Sequence, residues 1–316
     1  MICQNLASMT VPPPRPRPFR LAALDLDGTL LNDAGAISPA DATALRLFAQ
    51  SGGLIVLASG RMTANIRPFF DELGLDGPTI AYNGALSREP AGANRGWFAP
   101  QSAGDLPREP QSANGKIILE ASLPARYADE LIEYTRQERF HLNYYLDEVL
   151  YARDDPELRR FADLYSRQTG AAFHFVADLG RFRGREPTKL IIVTDPTVPG
   201  QPDPRHRDEL YEVWQARWGS EVTVMRTNPE YLEFYHRATS KGAALAAVAA
   251  RYGVARSLTL AFGDGHNDVA MLEWAGCGVA VANAHPDVKA SADWVSPLSN
   301  SESAVADALE RLVARG

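Results

Sequence analysis

The chain has 316 residues, of which 45% are hydrophobic and 22% charged, and its net charge is −7. This length is long for one compact domain and comfortable for two. The negative charge argues against a nucleic-acid partner, because phosphate backbones require a basic surface. No apolar run reaches the roughly 18 residues that cross a bilayer, so we expect no membrane partner.

The N-terminal segment predicts an extended arm, since it lacks the apolar core of an export signal. Prolines and arginines fill residues 12–18, a composition typical of disordered segments. We therefore assign residues 1–19 to a disordered arm. The two cysteines, Cys3 and Cys277, indicate no disulfide framework. A reducing, cytoplasmic location fits that cysteine usage.

The segment after the arm alternates strands and helices, which predicts a parallel sheet covered by helices on both faces. Its strands are uniformly apolar, as expected when both faces of a sheet are buried. The first helix begins after Ser38, which can cap it, with Pro39 in the first turn. The predicted strands cover residues 21–24, 54–58 and 79–82, and the second helix covers 63–73.

The middle of the chain predicts a separate α+β unit. Residues 87–115 are rich in Gly, Pro, Ser and Ala and predict a long loop. The predicted strands that follow are 116–123, 142–145, 149–152, 189–194, 222–225 and 231–235, with helices at 124–140, 156–169 and 207–218.

The alternating pattern resumes at Ser240, with a helix to residue 252, strands at 258–262 and 278–281, and a helix near Asn267. The simplest architecture is therefore a doubly wound α/β core with an inserted cap domain. The core comprises residues 20–85 and 237–316, and the cap comprises residues 86–236.

Two acidic clusters follow apolar strands, at the sheet edge where open α/β sheets bind ligands. Asp25 and Asp27 follow the first strand, and residues two apart in an extended chain point the same way. Asp264 and Asp268 follow the strand that ends at residue 262. Neighbouring carboxylates need a cation between them, and Mg²⁺ prefers such oxygen ligands. A Ca²⁺ loop is the alternative, but its twelve-residue ligand spacing is missing.

Two further residues are candidates for binding a phosphate group. Ser59 follows the second strand, where its hydroxyl and nearby backbone amides can bind a phosphate oxygen. A helix N-cap explains Ser59 equally well. Lys241 begins an alanine-rich helix, where the helix dipole disfavours a cation, which suggests another use for this side chain. An ordinary surface lysine is the simpler alternative.

Together these residues predict a Mg²⁺-dependent phosphatase. In this hypothesis Asp25 attacks phosphorus, and Mg²⁺ offsets the repulsion between the carboxylates and the phosphate. Asp27 protonates the leaving oxygen and later accepts a proton from the attacking water. Lys241 and Ser59 bind the equatorial phosphate oxygens.

The motifs at residues 25–31, 59–61, 241–242 and 263–268 resemble, in this order, the four motifs of the haloacid dehalogenase superfamily. The large insert between the second and third motifs is similar to the C2, subclass IIB cap of the Cof-type phosphatases. The resemblance implies a phospho-aspartyl intermediate, with Asp25 as the nucleophile.

The resemblance also implies the remaining site residues, beginning with Asp27 as the acid and base. Mg²⁺ would be bound by the Asp25 carboxylate, the Asp27 backbone carbonyl and Asp264, with Asp268 close by as support. Phosphate would be bound by the Leu26 amide, Ser59, Gly60, Lys241 and Asn267.

The resemblance leaves the substrate open among small phosphorylated metabolites, including sugar phosphates, flavin mononucleotide and pyridoxal phosphate. His266 stands where the family more often has an acidic residue, and we interpret it as a solvated loop histidine. One alternative is a phosphomutase that uses the same two aspartates. Another is a phosphometabolite-binding sensor, against which the intact acid/base pair argues. Monomer and homodimer both remain open.

Overall fold

The computed structural model of the chain describes residues 18–90, 115–194, 207–227 and 229–313. The predicted N-terminal arm, except for its last two residues, and most of the predicted loop at 87–115 lie outside these described residues. Within them, no helix is long and apolar enough to cross a membrane.

The strands of the described residues, in chain order, are β1 (Leu21–Asp25), β2 (Leu54–Ala58), β3 (Thr79–Ala81), β4 (Leu86–Arg88), β5 (Ile117–Glu120), β6 (His141–Leu146), β7 (Val149–Arg153), β8 (His174–Val176), β9 (Lys189–Val193), β10 (Val222–Arg226), β11 (Tyr231–His236), β12 (Thr259–Gly263), β13 (Cys277–Ala280) and β14 (Trp294–Val295). The helices are α1 (Pro39–Gln50), α2 (Thr63–Leu73), α3 (Ala125–Gln137), α4 (Arg159–Thr169), α5 (Arg207–Trp218), α6 (Lys241–Arg251), α7 (Val269–Trp274), α8 (Pro286–Ser291) and α9 (Ala304–Leu312).

The first sheet has eight strands in the order β14-β13-β12-β1-β2-β3-β4-β5. The strands from β14 to β3 are parallel, while β4 and β5 continue the sheet in antiparallel pairing. Strand β1 lies between β12 and β2 and is buried along its whole length. Because parallel strands end at the same edge, the residues that follow β12, β1 and β2 meet there.

Helices cover both faces of the first sheet. Ala22 and Leu24 of β1 face one core, which includes residues of α1, α2 and α9. Leu21 and Ala23 face the other core, which includes residues of α6 and α7. This alternation follows from the two-residue period of a strand, and it confirms the predicted doubly wound α/β core.

The second sheet has six strands in the order β10-β11-β9-β6-β7-β8. All of its pairs are antiparallel except β7 with β8. One face packs against α3 and α5 through a core that includes Leu131 and Trp214. The other face includes Tyr145 and Ile191, which belong to the core that continues under the first sheet. The inserted α+β unit is thus joined to the first sheet through apolar packing.

The predicted cap boundary after residue 85 needs a correction. The predicted cap includes residues 86–88, for which no strand is predicted, and the predicted strand at 116–123, yet these segments form β4 and β5 of the eight-stranded sheet. The physical reason is that β3 presents an unpaired edge, which the antiparallel strand β4 satisfies with backbone hydrogen bonds. Strand β8 was not predicted, because its three residues carry too short an apolar pattern.

Candidate active site

The candidate active site lies where three neighbouring strands of the first sheet end. Asp25 is the last residue of β1, Ser59 follows β2, and Asp264 follows β12. These residues line one cleft of about 570 Å³, whose opposite wall comes from the second sheet. The sequence placed all three side chains at this sheet edge, and the structure brings them together.

Lys241 lies at the centre of the acidic cluster. It is the first residue of α6, after Ser240, whose hydroxyl caps the helix by accepting a hydrogen bond from the Ala243 amide. Its ammonium is fully buried and donates to Asp25 Oδ1 at 2.5 Å and to Asp268 Oδ1 at 2.6 Å. The surface-lysine interpretation is therefore wrong. The two carboxylates compensate both the burial and the unfavourable helix dipole.

The protonation equilibria in this cluster are shifted by burial and by neighbouring charges. Burial raises the pKa of Asp25 well above its ordinary value, and the Asp268 carboxylate raises it further, while Lys241 opposes both. Burial by itself lowers the pKa of Lys241, but the Asp25 and Asp268 carboxylates outweigh this effect and raise it. The lysine is consequently a permanent cation beside the predicted nucleophile.

Asp264 and Asp268 have different hydrogen-bond partners. Asp264 Oδ1 accepts a hydrogen bond of 2.8 Å from the buried Thr29 hydroxyl. Asp268 is nearly fully buried, and its second oxygen accepts hydrogen bonds from the backbone amides of Asp264 and Gly265 at 3.1 and 3.0 Å. Both oxygens of Asp268 are thus occupied by protein donors, so this residue orients the loop that carries Asp264.

The carboxylate cluster has the donor set of a divalent-cation site. Ligand oxygens of Asp25, Asp264 and Asp268 all lie within 4.8 Å of one another. Three carboxylates face one ammonium, which leaves two negative charges uncompensated when all are ionised. Gly28 makes room beside them: a Cβ at this residue would lie 2.5 Å from Asp264 Oδ2. Hard oxygen donors with an excess of negative charge fit Mg²⁺.

Asp27 lies apart from this cluster. Its side chain is 58% exposed and makes a bidentate ion pair with Arg61. The Arg61 Nε atom donates to Asp27 Oδ2 at 2.9 Å. Asp27, the predicted general acid and base, therefore lies at the solvent-exposed side of the cleft. The ion pair with Arg61 restricts the orientation of the Asp27 carboxylate. Its carboxylate is not among the clustered metal-ligand candidates that the described residues form.

Three of the predicted phosphate-binding residues, Ser59, Gly60 and Asn267, contact one side chain, that of Asn83, or its backbone. Ser59 is buried, and its hydroxyl accepts a hydrogen bond of 3.2 Å from the Arg61 amide. Asn267 donates to the side-chain oxygen of Asn83 at 2.9 Å. Gly60 packs so closely on Asn83 that a Cβ would lie 3.1 Å from its side-chain oxygen. Asn83 thus connects the loop after β2 with the turn that carries Asn267.

The second sheet contributes a buried polar group to the same cleft, which we call the cap network: Lys189, Glu233 and Tyr235. Lys189 Nζ lies 3.1 Å from Glu233 Oε2 and donates to the Gly60 carbonyl oxygen at 3.3 Å. The Tyr235 hydroxyl donates to Glu233 and accepts from the Asn83 side chain at 3.0 Å. The cap network therefore contacts the loop after β2 at Gly60 and the Asn83 side chain that bonds Asn267.

The sequence alone predicted no functional role for Thr29, Arg61, Asn83 or the cap network. Two signals were available in the sequence. Lys189 begins the apolar strand β9, and Glu233 interrupts the apolar strand β11. Charged residues in fully buried strands require a partner, so these two positions could have been paired with each other.

Comparisons with known proteins agree with this architecture. The family described as haloacid dehalogenase-like hydrolase matches residues 22–93 and 110–309. YxeH of Bacillus subtilis (strain 168) is 28% identical over 298 residues, which cover 93% of this chain and 98% of YxeH. The pyridoxal phosphate phosphatase YbhA of Escherichia coli (strain K12) is 28% identical over 284 residues, 87% of this chain and 92% of YbhA.

A solved structure shows the same fold over nearly the whole chain. The crystal structure of TM0651 from Thermotoga maritima superposes with a TM-score of 0.76 at 30% identity, covering 94% of this chain and 98% of TM0651. The family match, the relatives and the shared fold confirm the resemblance that the four motifs indicated. The chain belongs to the haloacid dehalogenase-like hydrolases and is a phosphatase of that family.

Proposed function

We propose that the protein is a Mg²⁺-dependent phosphatase that hydrolyses phosphate monoesters of small metabolites through a phospho-aspartyl intermediate on Asp25. The observation that carries the proposal is the buried contact of Lys241 with Asp25 and Asp268 beside Asp264. This arrangement puts a fixed cation next to a carboxylate that is 6% exposed and opens to the cleft.

In the first step a carboxylate oxygen of Asp25 attacks phosphorus, and the bond from phosphorus to the ester oxygen breaks. Asp27, as the acid, gives its proton to that leaving oxygen. The Lys241 ammonium and the Ser59 hydroxyl stabilise the negative charge on the phosphoryl oxygens. Mg²⁺ bound by Asp25 and Asp264, with the Asp27 carbonyl, would supply further charge neutralisation and orientation.

In the second step water attacks the phosphorus of the phospho-aspartate and transfers its proton to Asp27. The bond between phosphorus and the Asp25 oxygen breaks, which releases phosphate and restores the carboxylate. Arg61 restrains the Asp27 carboxylate, which is 58% exposed and therefore accessible to the attacking water. The same side chain thus acts first as acid and then as base.

We further propose that the inserted segment, apart from β4 and β5, acts as a cap that selects the substrate. The first-sheet residues of the cleft serve the phosphate, so contacts to the rest of the metabolite must come from the second-sheet side. Gln168, Thr169, Arg226 and Tyr231 line that side. Substitution of Arg226 by Gln should therefore change the order of preference among substrates while leaving hydrolysis of a minimal aryl phosphate intact. An unchanged order would contradict this assignment.

The direct test of the function is phosphate release from a panel of phosphorylated metabolites in Mg²⁺. The panel should include sugar phosphates, flavin mononucleotide and pyridoxal phosphate, the last because YbhA is named for that activity. We expect turnover by the wild type, none by Asp25→Asn, and full turnover by Asp71→Asn, an exposed aspartate on α2. Phosphate release that survives in Asp25→Asn would refute the proposal.

A further inference from the structure

A second group of metal-ligating side chains lies at the edge of the cleft: His266, His285 and Asp287. Asp287 Oδ2 is 3.6 Å from His266 Nε2 and 3.6 Å from His285 Nδ1. The two imidazole rings face each other with centroids 4.3 Å apart. One ligand atom from each of the three residues lies within 4.8 Å of the other two.

The three side chains are close without being hydrogen-bonded to one another. Distances of 3.6 Å exceed those of ordinary hydrogen bonds. The His285 Nδ1 atom accepts only a long contact of 3.4 Å from the Asp287 amide, and the His266 ring makes no hydrogen bond to any residue that the structure describes. The imidazole nitrogens and the carboxylate oxygens of these residues therefore remain available to bind a metal ion.

The backbone holds the two segments of the group together. The His285 amide donates to the Asp264 carbonyl oxygen at 3.1 Å, and α8 begins directly after His285. His266 starts the turn that Asp268 closes, with the Asp268 amide bonded to the Gly265 carbonyl oxygen at 2.9 Å. Backbone hydrogen bonds thus hold the segments that carry His266 and His285 next to each other.

Two of the three ligand separations are close to those of a transition-metal site. Bonds from Zn²⁺ to nitrogen and oxygen are about 2.0–2.2 Å long, so two ligands of a tetrahedral ion lie roughly 3.3–3.5 Å apart. The observed 3.6 Å separations need only small movements to reach that value. Two imidazoles and one carboxylate favour Zn²⁺, Cu²⁺ or Ni²⁺ over Mg²⁺. The side chains are 64%, 51% and 77% exposed, which leaves room for water as a fourth ligand.

We infer that His266, His285 and Asp287 bind one divalent transition-metal ion, of which Zn²⁺ is the representative, at the edge of the cleft. This site shares no ligand with the Asp25, Asp264 and Asp268 cluster. His266 also lines the cleft, so the ion would lie beside the turn that carries Asp264 and Asn267.

The experiment is isothermal titration of Zn²⁺ into the full-length chain in excess Mg²⁺, which occupies the carboxylate cluster. The wild type should bind one Zn²⁺ that His285→Gln and Asp287→Asn bind at least about tenfold more weakly, since each variant loses one of three ligands. His174→Gln is the matched control, because His174 is also exposed but lies on β8 of the second sheet. It should bind Zn²⁺ like the wild type.

The inference is overturned if the wild type binds no Zn²⁺ in excess Mg²⁺. It is also overturned if His285→Gln and Asp287→Asn bind Zn²⁺ as tightly as the wild type, because the ion would then be bound by other residues. The heat of binding requires no turnover, so the result is independent of whether the proposed hydrolysis is correct.

Discussion

Lys189, on strand β9 of the second sheet, donates a hydrogen bond of 3.3 Å to the backbone carbonyl of Gly60, in the loop after β2 of the first sheet. Both Lys189 and its partner Glu233 are almost completely buried. The contact is therefore a charged interaction, shielded from water, between the unit proposed to select the substrate and the loop proposed to bind phosphate.

Removal of this link should weaken phosphate binding. In Lys189→Met the folded state loses a charge-assisted hydrogen bond, worth about 1.5–3 kcal/mol. The Gly60 loop is then less well positioned, so the inhibition constant of inorganic phosphate should rise. The single substitution leaves Glu233 unpaired, so the double variant with Glu233→Gln should be measured beside it. Lys116→Met, at an exposed lysine, is the control. A lowered melting temperature with an unchanged inhibition constant would mean that Lys189 is only structural.

Substitution of the proposed acid should depend on the leaving group. Asp27→Asn should lower kcat/KM for alkyl phosphates by roughly 10²–10⁴-fold, the usual contribution of a general acid. The loss should be much smaller for p-nitrophenyl phosphate, because its leaving oxygen scarcely needs a proton. Steady-state rates with both substrates give the comparison, and equal losses would remove Asp27 from this role.

The Thr29 hydroxyl should support metal binding through Asp264, to which it donates at 2.8 Å. Removing such an outer hydrogen bond typically costs about 10–100-fold in metal affinity. Thr29→Val should therefore require more Mg²⁺ for half-maximal activity, while Thr29→Ser, which keeps the hydroxyl, should resemble the wild type. The Mg²⁺ dependence of phosphate release measures both. If Thr29→Val responds to Mg²⁺ as the wild type does, the hydroxyl does not support the site.

The identity of the activating ion provides a further check on the carboxylate cluster. EDTA should abolish phosphate release, and Mg²⁺ should restore it. Ca²⁺ should restore little, because its looser coordination with six to eight ligands would misplace Asp25. Full activity in Ca²⁺, measured after exhaustive removal of Mg²⁺, would contradict the proposed role of the cluster.

His141 on β6 should make the second sheet sensitive to acid. Burial lowers the pKa of this side chain from 6.5 to about 4, and its Nε2 lies 2.8 Å from the Asn143 side-chain oxygen. Between these two values the unfolded chain binds the extra proton, so stability rises with pH in this window. The contribution of neutral His141 is thus present above about pH 6.5 and is lost as the pH falls toward 4.

The test compares unfolding of wild type and His141→Gln by denaturant at pH 7, 6, 5 and 4. Each pKa unit corresponds to about 1.4 kcal/mol, so the wild type should lose a few kcal/mol more than the variant over this range. Parallel losses in both proteins would show that other groups cause the acid sensitivity.

The sequence predicts the core of the fold well because its strands carry strong local signals. The apolar runs of β1, β2 and β12 are uninterrupted, and each is followed by a polar cluster. The boundary of the inserted unit is predicted less well. Strands β4 and β5 are short, and β5 joins the first sheet by pairing with a strand about 30 residues earlier in the chain.

Most of the predicted site residues, among them Asp25, Ser59 and Asp264, line one cleft, whereas the contacts among them could not be read from the sequence. The two carboxylates that meet Lys241 lie 216 and 27 residues away from it in the chain. The cap network could not be placed opposite Gly60 because the packing of the two sheets has no local signature. Charged residues inside buried strands were the available clue, and they indicate a partner without identifying it.

The most direct test of the central claim is intact-mass analysis of the enzyme, quenched in acid during turnover in Mg²⁺. A phospho-aspartyl intermediate on Asp25 predicts a species heavier by one phosphoryl group, mapped by peptide sequencing to Asp25 and absent from Asp25→Asn. This species should be more abundant when Asp27→Asn turns over p-nitrophenyl phosphate. A phosphoryl group on another residue, or none in Asp27→Asn while that variant still releases p-nitrophenol, would contradict the proposed intermediate.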